Sequence, residues 1–207
     1  MRAFFNARRL GETKNKTQSI MFNLFEIAAD NAVRDYIDQN LYDPWSNTPF
    51  EGYVHLGSKK QGTYGERFIS AALEHLSFVV EAPLNTDHDR RVGRTSDQLL
   101  KTEFKFSLAQ RDCKKQIVKP DVFSINHMAL SKDWDRMIFC GINPQGHTSP
   151  FIFITKEDFI SEMQLSQPVF KPQQSGKKGG NDDYIIQGSS GIKQFLERPY
   201  IHPIAAW

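Results

Sequence analysis

The sequence predicts an α/β fold with a central mixed β-sheet flanked by helices. At 207 residues the chain is long enough for one well-buried core. Apolar residues recur at helical spacing in some segments and form short strand-length runs in others. The run from Met137 to Ile142 is continuously apolar, as expected of a central strand buried on both faces. We therefore expect a single domain over residues 1–207, with an N-terminal helical extension over about residues 1–40.

Two helices are predicted before the first strand. Apolar residues at helical spacing predict one from Ser19 to about Asn40, and residues 41–64 read as loop because they are rich in Pro and Gly. A second helix is expected to open at Thr63 or Tyr64 and to run to about Leu76. Glu66 would then lie in its first turn, where a carboxylate interacts favourably with the helix N-terminus.

The remaining elements are mostly strands. A polar loop over residues 83–96 is expected between the first strand and the second, and residues 109–119 are expected to cross a sheet edge. Short helices are predicted at 156–163 and 190–196. The predicted strands cover residues 78–82, 99–107, 121–127, 136–142, 151–155 and 184–188.

One strand carries the most informative motif, an aspartate followed at a distance by Glu-x-Lys. Strand side chains alternate between faces, so Glu103 and Lys105 share one face while Phe104 and Phe106 share the other. Asp97 precedes a short bend and is expected to fold back beside Glu103. Two carboxylates meeting at a point suit Mg²⁺, which takes one or two protein carboxylates plus water and phosphate. The alternative is an amphipathic edge strand with a solvated face.

The polar loop before this strand holds a second titratable group. His88 stands between Asp87 and Asp89, a pattern that invites a metal-ligand hypothesis. Clusters of this kind in loops are usually solvated, so we expect these three side chains to face water. Glu66, by contrast, remains open between a helix-start charge and a metal-binding carboxylate.

Asp97 with Glu103-Phe104-Lys105 resembles the motif of the PD-(D/E)XK nuclease superfamily, particularly type II restriction endonucleases and MutH-like enzymes. That superfamily commonly has an acidic residue on the helix before the catalytic hairpin, and Glu66 matches it in order. The resemblance spans residues 62–144, under half of the chain. One departure is that Ser96, rather than Pro, precedes Asp97.

The resemblance implies a restriction-endonuclease-like fold and a Mg²⁺-dependent endodeoxyribonuclease. Asp97 and Glu103 would ligate Mg²⁺, Lys105 would orient or deprotonate the attacking water, and Glu66 would be an additional catalytic carboxylate. A type II restriction enzyme acts as a homodimer on a short double-stranded DNA site, alongside a cognate DNA methyltransferase. Two alternatives stay open: a nicking or structure-specific repair nuclease of the same fold (MutH-like or a junction resolvase), and a non-catalytic DNA- or partner-binding protein.

Charge and composition add the expected DNA contacts. The net charge is only +2, so any DNA-binding surface must come from the distribution of basic residues. The segment Ser175–Asn181, with three glycines and two lysines, is expected to be a flexible basic loop. Candidate phosphate contacts are Lys59, Lys60, Arg90, Arg91, Arg94, Lys114, Lys115, Lys177 and Lys178.

The sequence also predicts where in the cell the protein is located. No window approaches 18 consecutive apolar residues, so no transmembrane helix and no membrane partner are expected. The N-terminal residues lack the apolar core of a secretory signal. The two cysteines, Cys113 and Cys140, form neither a CxxC pair nor a disulfide framework, which favours a reducing cytoplasm.

Overall fold

The structure, a computed structural model, describes residues 43, 45–112, 117–172 and 183–207. The expected N-terminal helix and the extension over residues 1–40 lie outside this part of the chain. The same holds for the segment Ser175–Asn181 and for Lys114, Lys115, Lys177 and Lys178.

The centre of the fold is a six-stranded mixed sheet in the order β1-β2-β3-β7-β8-β11, so the predicted α/β architecture is confirmed. Strands β3 and β7 pair in parallel, and all other neighbours in this sheet are antiparallel. A smaller sheet has the order β6-β10-β9, and β4 pairs with β5. The strands are β1 (Val79–Glu81), β2 (Arg90–Gly93), β3 (Leu100–Leu108), β4 (Arg111–Asp112), β5 (Ile117–Val118), β6 (Phe123–Ile125), β7 (Arg136–Ile142), β8 (Phe151–Thr155), β9 (Lys171–Pro172), β10 (Tyr184–Ile186) and β11 (His202–Pro203).

Three α-helices lie within the described residues: α1 (Ser58–His75), α2 (Lys156–Met163) and α3 (Gly188–Glu197). Short 3₁₀ helices span Tyr53–His55 and Ile204–Ala206. Helix α2 begins where predicted because Thr155 accepts a hydrogen bond from the Asp158 amide, satisfying an N-terminal donor. None of the described helices is long and apolar enough to cross a membrane.

The start of α1 was predicted too late. The helix begins at Ser58, because Gly57 serves as its N-cap and Gly62 is accommodated inside it. Farther along, Gly65 lets the helix approach β3 closely: a Cβ at this position would lie 2.5 Å from the Cβ of Phe106. Larger residues at position 65 would push α1 away from the strand that carries the Glu-x-Lys motif.

Strand β7 is the central buried strand that its apolar run predicted. Met137 and Phe139 pack into the core on one face of the sheet, while Ile138 and Cys140 pack into the core on the other. Burial raises the pKa of the Cys140 thiol to about 12, so this thiol stays protonated and apolar in character.

One error in the sequence prediction matters for the site. The segment predicted as a polar loop over residues 83–96 contains strand β2, which forms an antiparallel hairpin with β3. The sequence Arg-Arg-Val-Gly shows no clear alternation of polar and apolar residues, so its strand character comes from pairing with its neighbours β1 and β3. The very short strands β9 and β11 were not predicted for a similar reason.

Candidate active site

The Glu-x-Lys motif lies in the middle of β3, next to β7. Glu103 and Lys105 project from the same face, and the Lys105 ammonium donates a hydrogen bond of 2.8 Å to Glu103 Oε1. Phe104, between them, is buried in the core on the other face. The period-two alternation expected for this strand is therefore present, and the structure brings Glu103 and Lys105 together.

Glu103 is a buried carboxylate that is only partly satisfied. Its side chain is 5% exposed, and Lys105 occupies one of its oxygens. The other oxygen, Oε2, is buried and accepts no hydrogen bond. A buried acceptor without a hydrogen bond destabilises the folded state by about 1–3 kcal/mol, and a water or a cation bound to it would remove this cost. Burial, with a contribution from Asp89, raises the pKa of Glu103 in spite of the opposing charge of Lys105.

Lys105 is held from two sides. Besides Glu103, its ammonium donates to the carbonyl oxygen of His127 at 3.2 Å. His127 has a left-handed backbone (φ 59°), and its amide donates to Asp183 Oδ1 at 2.8 Å, which orients this turn. A lysine ammonium has three N–H donors. Two are thus assigned, and the third has no acceptor among the residues that the structure describes.

The second carboxylate beside Glu103 belongs to Asp89, which sequence reasoning missed as a site residue. Arg90 pairs with Thr102 in the β2–β3 register, so Asp89 lies just before β2, alongside the motif. Its amide donates to the Thr102 carbonyl at 3.2 Å, and its Oδ2 accepts from the Phe104 amide at 2.7 Å. Asp89 Oδ1 accepts no hydrogen bond within the described residues. The signal in the sequence was the Asp87-His88-Asp89 pattern, whose side chains were expected to face water.

The structure does not bring Asp97 to Glu103, so the placement that the sequence predicted for Asp97 is wrong. Asp97 is fully exposed in the turn between β2 and β3, where Thr95 rather than any residue of the motif lowers its pKa. Strand β3 begins at Leu100, and the three residues from there to Glu103 extend away from the turn by about 10 Å. An antiparallel hairpin has its turn at one end, so Asp97 lies at a distance from the motif while Asp89 lies beside it.

Glu66 lies in the interior of α1 rather than in its first turn, because the helix begins at Ser58. The helix-start role is therefore removed. Its carboxylate lies 3.6 Å from the Arg90 guanidinium, which belongs to the same hairpin as Asp89 and Glu103. Burial first, and then the charge of Asp89, raises the pKa of Glu66, and Glu103 contributes in the same direction. Glu66 thus borders the carboxylate pair.

The basic residues expected to contact DNA occupy different surroundings. Lys59 and Lys60 are exposed in the first turn of α1. Arg90 donates to the Asp89 carbonyl at 2.6 Å and pairs with Glu66, so it supports the site directly. Arg91 pairs with Glu81 on β1, away from the motif, and its charge is matched. Arg94 stacks on Phe78, with its guanidinium carbon 3.8 Å from the ring centre.

His88 is not a solvated loop residue. It is 3% exposed, its Nε2 lies 3.4 Å from the Leu84 amide, and its Nδ1 is buried without a hydrogen-bond partner. Because the Leu84 amide is the donor in this contact, Nδ1 carries the proton in the neutral ring. His88 therefore packs beneath the segment that leads into Asp89, and it supports that backbone instead of facing water.

The acidic groups in the described residues do not form a ready multi-ligand cage. No three His, Cys, Asp or Glu side chains of this part of the chain converge closely enough to hold a metal ion. Mg²⁺ usually keeps several waters and takes one or two protein carboxylates, so the pair to consider is Asp89 and Glu103.

No protein-family model matches this chain, and a search of curated proteins likewise finds no match.

Proposed function

We propose that this chain is a metal-dependent endonuclease that hydrolyses phosphodiester bonds of DNA. The observation that carries the proposal is the buried Oε2 of Glu103, which has no hydrogen-bond partner although Lys105 holds the other oxygen of the same carboxylate. Glu162 on α2, which pairs with Arg198, has both of its carboxylate oxygens hydrogen-bonded. An incompletely satisfied carboxylate beside a second carboxylate suits a hard cation.

The residues present fit Mg²⁺. Glu103 would hold it through Oε2, and Asp89 through Oδ1, because Oδ2 of Asp89 is engaged by the Phe104 amide. When bound, Mg²⁺ supplies Lewis-acid polarisation of the phosphate and lowers the pKa of a coordinated water. The backbone hydrogen bond to Asp89 restrains that carboxylate, which reduces the entropy lost when it is oriented.

Lys105 supplies the positive charge for the proposed reaction. Its ammonium is fixed by Glu103 and by the His127 carbonyl, so its remaining donor has a defined direction. In the proposal this donor orients the attacking water and stabilises charge developing on the phosphate. Glu66 acts more indirectly, by holding Arg90 and adding negative potential beside the pair.

The finer proposal is a restriction-endonuclease-like enzyme, and it rests on the sequence resemblance. A type II restriction enzyme cuts both strands of a short site as a homodimer, because a two-fold assembly matches a palindromic sequence. Asp89, just before β2, lies beside Glu103 on β3, and in the proposal it takes the role that the resemblance gives to Asp97. A nicking or branch-cutting enzyme of the same fold would use the same residues and differ only in its product.

The test is incubation of the purified protein with mixed-sequence plasmid and phage DNA in Mg²⁺ or Mn²⁺. We expect cleavage that excess chelator eliminates and added Mg²⁺ restores. Sequencing of the fragment ends then separates a specific double-strand cut from a nick or a branch cut. A folded protein that binds DNA but leaves it intact with both metals contradicts the proposal and favours the non-catalytic alternative.

A further inference from the structure

A second cationic feature lies at the start of β7, around Arg136. Its guanidinium carbon is 4.9 Å from the ring centre of Phe153 and 4.5 Å from that of Trp207. The two rings are themselves in contact, with centroids 5.1 Å apart. The Arg136 guanidinium is half-buried against these two rings, and cation–π attraction compensates part of its lost hydration.

Arg136 has no hydrogen-bond acceptor and no ion pair among the described residues. The charge of its neighbour Asp135 acts on Arg136 without forming an ion pair with it, and one carboxylate oxygen of Asp135 accepts the Lys101 amide at 2.8 Å. A guanidinium carries five N–H donors and remains charged throughout the accessible pH range. Burial lowers the pKa of Arg136, and the nearby charge of Asp135 acts in the opposite direction.

A second guanidinium borders the same depression. Arg94 lies over Phe78, and its Nε and Nη1 donate to the main-chain oxygens of Trp207 and Leu76, both at 3.2 Å. The depression is lined by Arg94 and Arg136 together with Gln98, Trp207 and the side chain of Asp97.

We propose that this depression is a phosphate-binding site, with Arg136 as its main ligand. A half-buried guanidinium with unused donors matches the planar, paired acceptors of a phosphate group. Arg94 adds a second positive charge, and Gln98 adds amide donors. The exposed carboxylate of Asp97 opposes the anion from the rim and limits its affinity.

The depression is separate from the Asp89–Glu103 pair. Across the β3–β7 ladder, Arg136 is the partner of Thr102, whereas Glu103 is the partner of Met137. Adjacent residues of a strand point to opposite faces, so Arg136 and Glu103 lie on opposite faces of the sheet. The phosphate comes either from a nucleic-acid backbone or from a free phosphate, and only the first source depends on the proposed function.

The experiment has one arm for each source. In the first arm, the melting temperature is followed against inorganic phosphate at constant ionic strength, with chloride as the reference anion. In the second, the affinity for duplex DNA is measured against salt concentration in chelator. The variants are Arg136→Gln, with Arg67→Gln as the control because Arg67 is an exposed arginine of α1 outside the depression. Asp97→Asn removes the opposing charge at a fully exposed position.

We expect phosphate to raise the melting temperature of the wild type and of Arg67→Gln, but not of Arg136→Gln. Asp97→Asn should lower the phosphate dissociation constant by about twofold to fivefold. This variant tests the proposal even if Arg136→Gln folds poorly. A DNA salt slope about one unit shallower in Arg136→Gln assigns the site to backbone phosphate. An unchanged slope with loss of the phosphate response assigns it to free phosphate. A wild type that responds equally to phosphate and chloride, with Asp97→Asn no different, overturns the proposal.

Discussion

Glu103 and Glu162 are both buried glutamates paired with a basic side chain, yet their surroundings differ in one respect. Glu162, on α2, is completely buried, and both of its oxygens are engaged. Oε1 accepts the Val169 amide at 2.7 Å, while Oε2 lies 3.1 Å from Arg198 Nε and accepts the Tyr200 hydroxyl. Glu103, by contrast, keeps one oxygen without any partner.

The difference separates a structural role from a functional one. Glu162 joins α2 to the segments that precede α3 and follow it, and its satisfied oxygens make it a cross-link between parts of the chain distant in sequence. Glu103 stabilises the fold less than its burial suggests, because the orphaned oxygen opposes the gain from Lys105. Burial alone therefore does not distinguish the two carboxylates, whereas hydrogen-bond satisfaction does.

The largest expected effects come from the same substitution at both glutamates. Glu103→Gln should lower the cleavage rate by about a thousandfold or more while lowering the melting temperature less than Glu162→Gln does, because the lost ion pair with Lys105 is offset by the loss of a buried charge with an orphaned oxygen. Glu162→Gln should do the opposite, lowering the free energy of unfolding by about 2–4 kcal/mol because Arg198 loses its anionic partner. Chemical denaturation and single-turnover cleavage measure the two quantities. A Glu103→Gln protein that cuts normally, or a Glu162→Gln protein as stable as the wild type, would break the distinction.

The two aspartates that flank the motif strand provide the next comparison. Asp89→Asn should reduce cleavage by about a hundredfold or more, since a neutral amide is a weak ligand for a hard cation. Asp97→Asn should leave cleavage close to wild type, because Asp97 is exposed at the far end of the hairpin. Both changes preserve side-chain size, which makes the pair matched. Loss of cleavage in Asp97→Asn with retention in Asp89→Asn would restore the assignment expected from the sequence.

The pH dependence should separate metal binding from stability at Glu103. Because burial raises the pKa of Glu103, the carboxyl takes up a proton while exposed carboxylates are still ionised, so Mg²⁺ affinity and cleavage should fall as the pH is lowered through that raised pKa. The contribution of Glu103 to stability depends on pH in the opposite direction to its metal binding. The folded state binds this proton more tightly than the unfolded state, so the contribution of Glu103 to the unfolding free energy decreases as pH rises through its folded pKa.

The measurements for this prediction are Mg²⁺ titrations and urea unfolding of the metal-free protein across pH, each with the wild type and Glu103→Gln. The difference in unfolding free energy between them should move in favour of Glu103→Gln as pH increases. A difference that stays constant with pH would show that Glu103 keeps an ordinary pKa.

Glu66 should give the smallest effect. Glu66→Gln removes a charge next to Arg90 without touching the proposed metal ligands, so we expect cleavage to fall by about tenfold, with a higher Mg²⁺ requirement. Glu74→Gln is the control, since Glu74 is exposed on the same helix. Equal behaviour of the two variants in Mg²⁺ titrations would show that Glu66 is an ordinary surface carboxylate.

Local patterns in the sequence were enough for several features. The alternation in β3 predicted that Glu103 and Lys105 share a face, and the continuous apolar run predicted that β7 is buried on both sides. The bounds of α2 also followed, since Thr155 caps the helix locally. Each of these depends on the side-chain direction or hydrogen bonding of residues close together in the chain.

Other features depended on contacts between distant segments. Asp89 reaches Glu103 only through the β2–β3 register, and the two polar arginines of β2 carry no pattern that reveals this pairing. The His127 carbonyl that holds Lys105, and the orphaned oxygen of Glu103, likewise arise where separate elements meet. The sequence by itself determined which face of β3 carries the carboxylate and the ammonium, because strand periodicity is a local property. Only the tertiary structure decided which aspartate joins them, because strand register is set by pairing between segments and not by either segment alone.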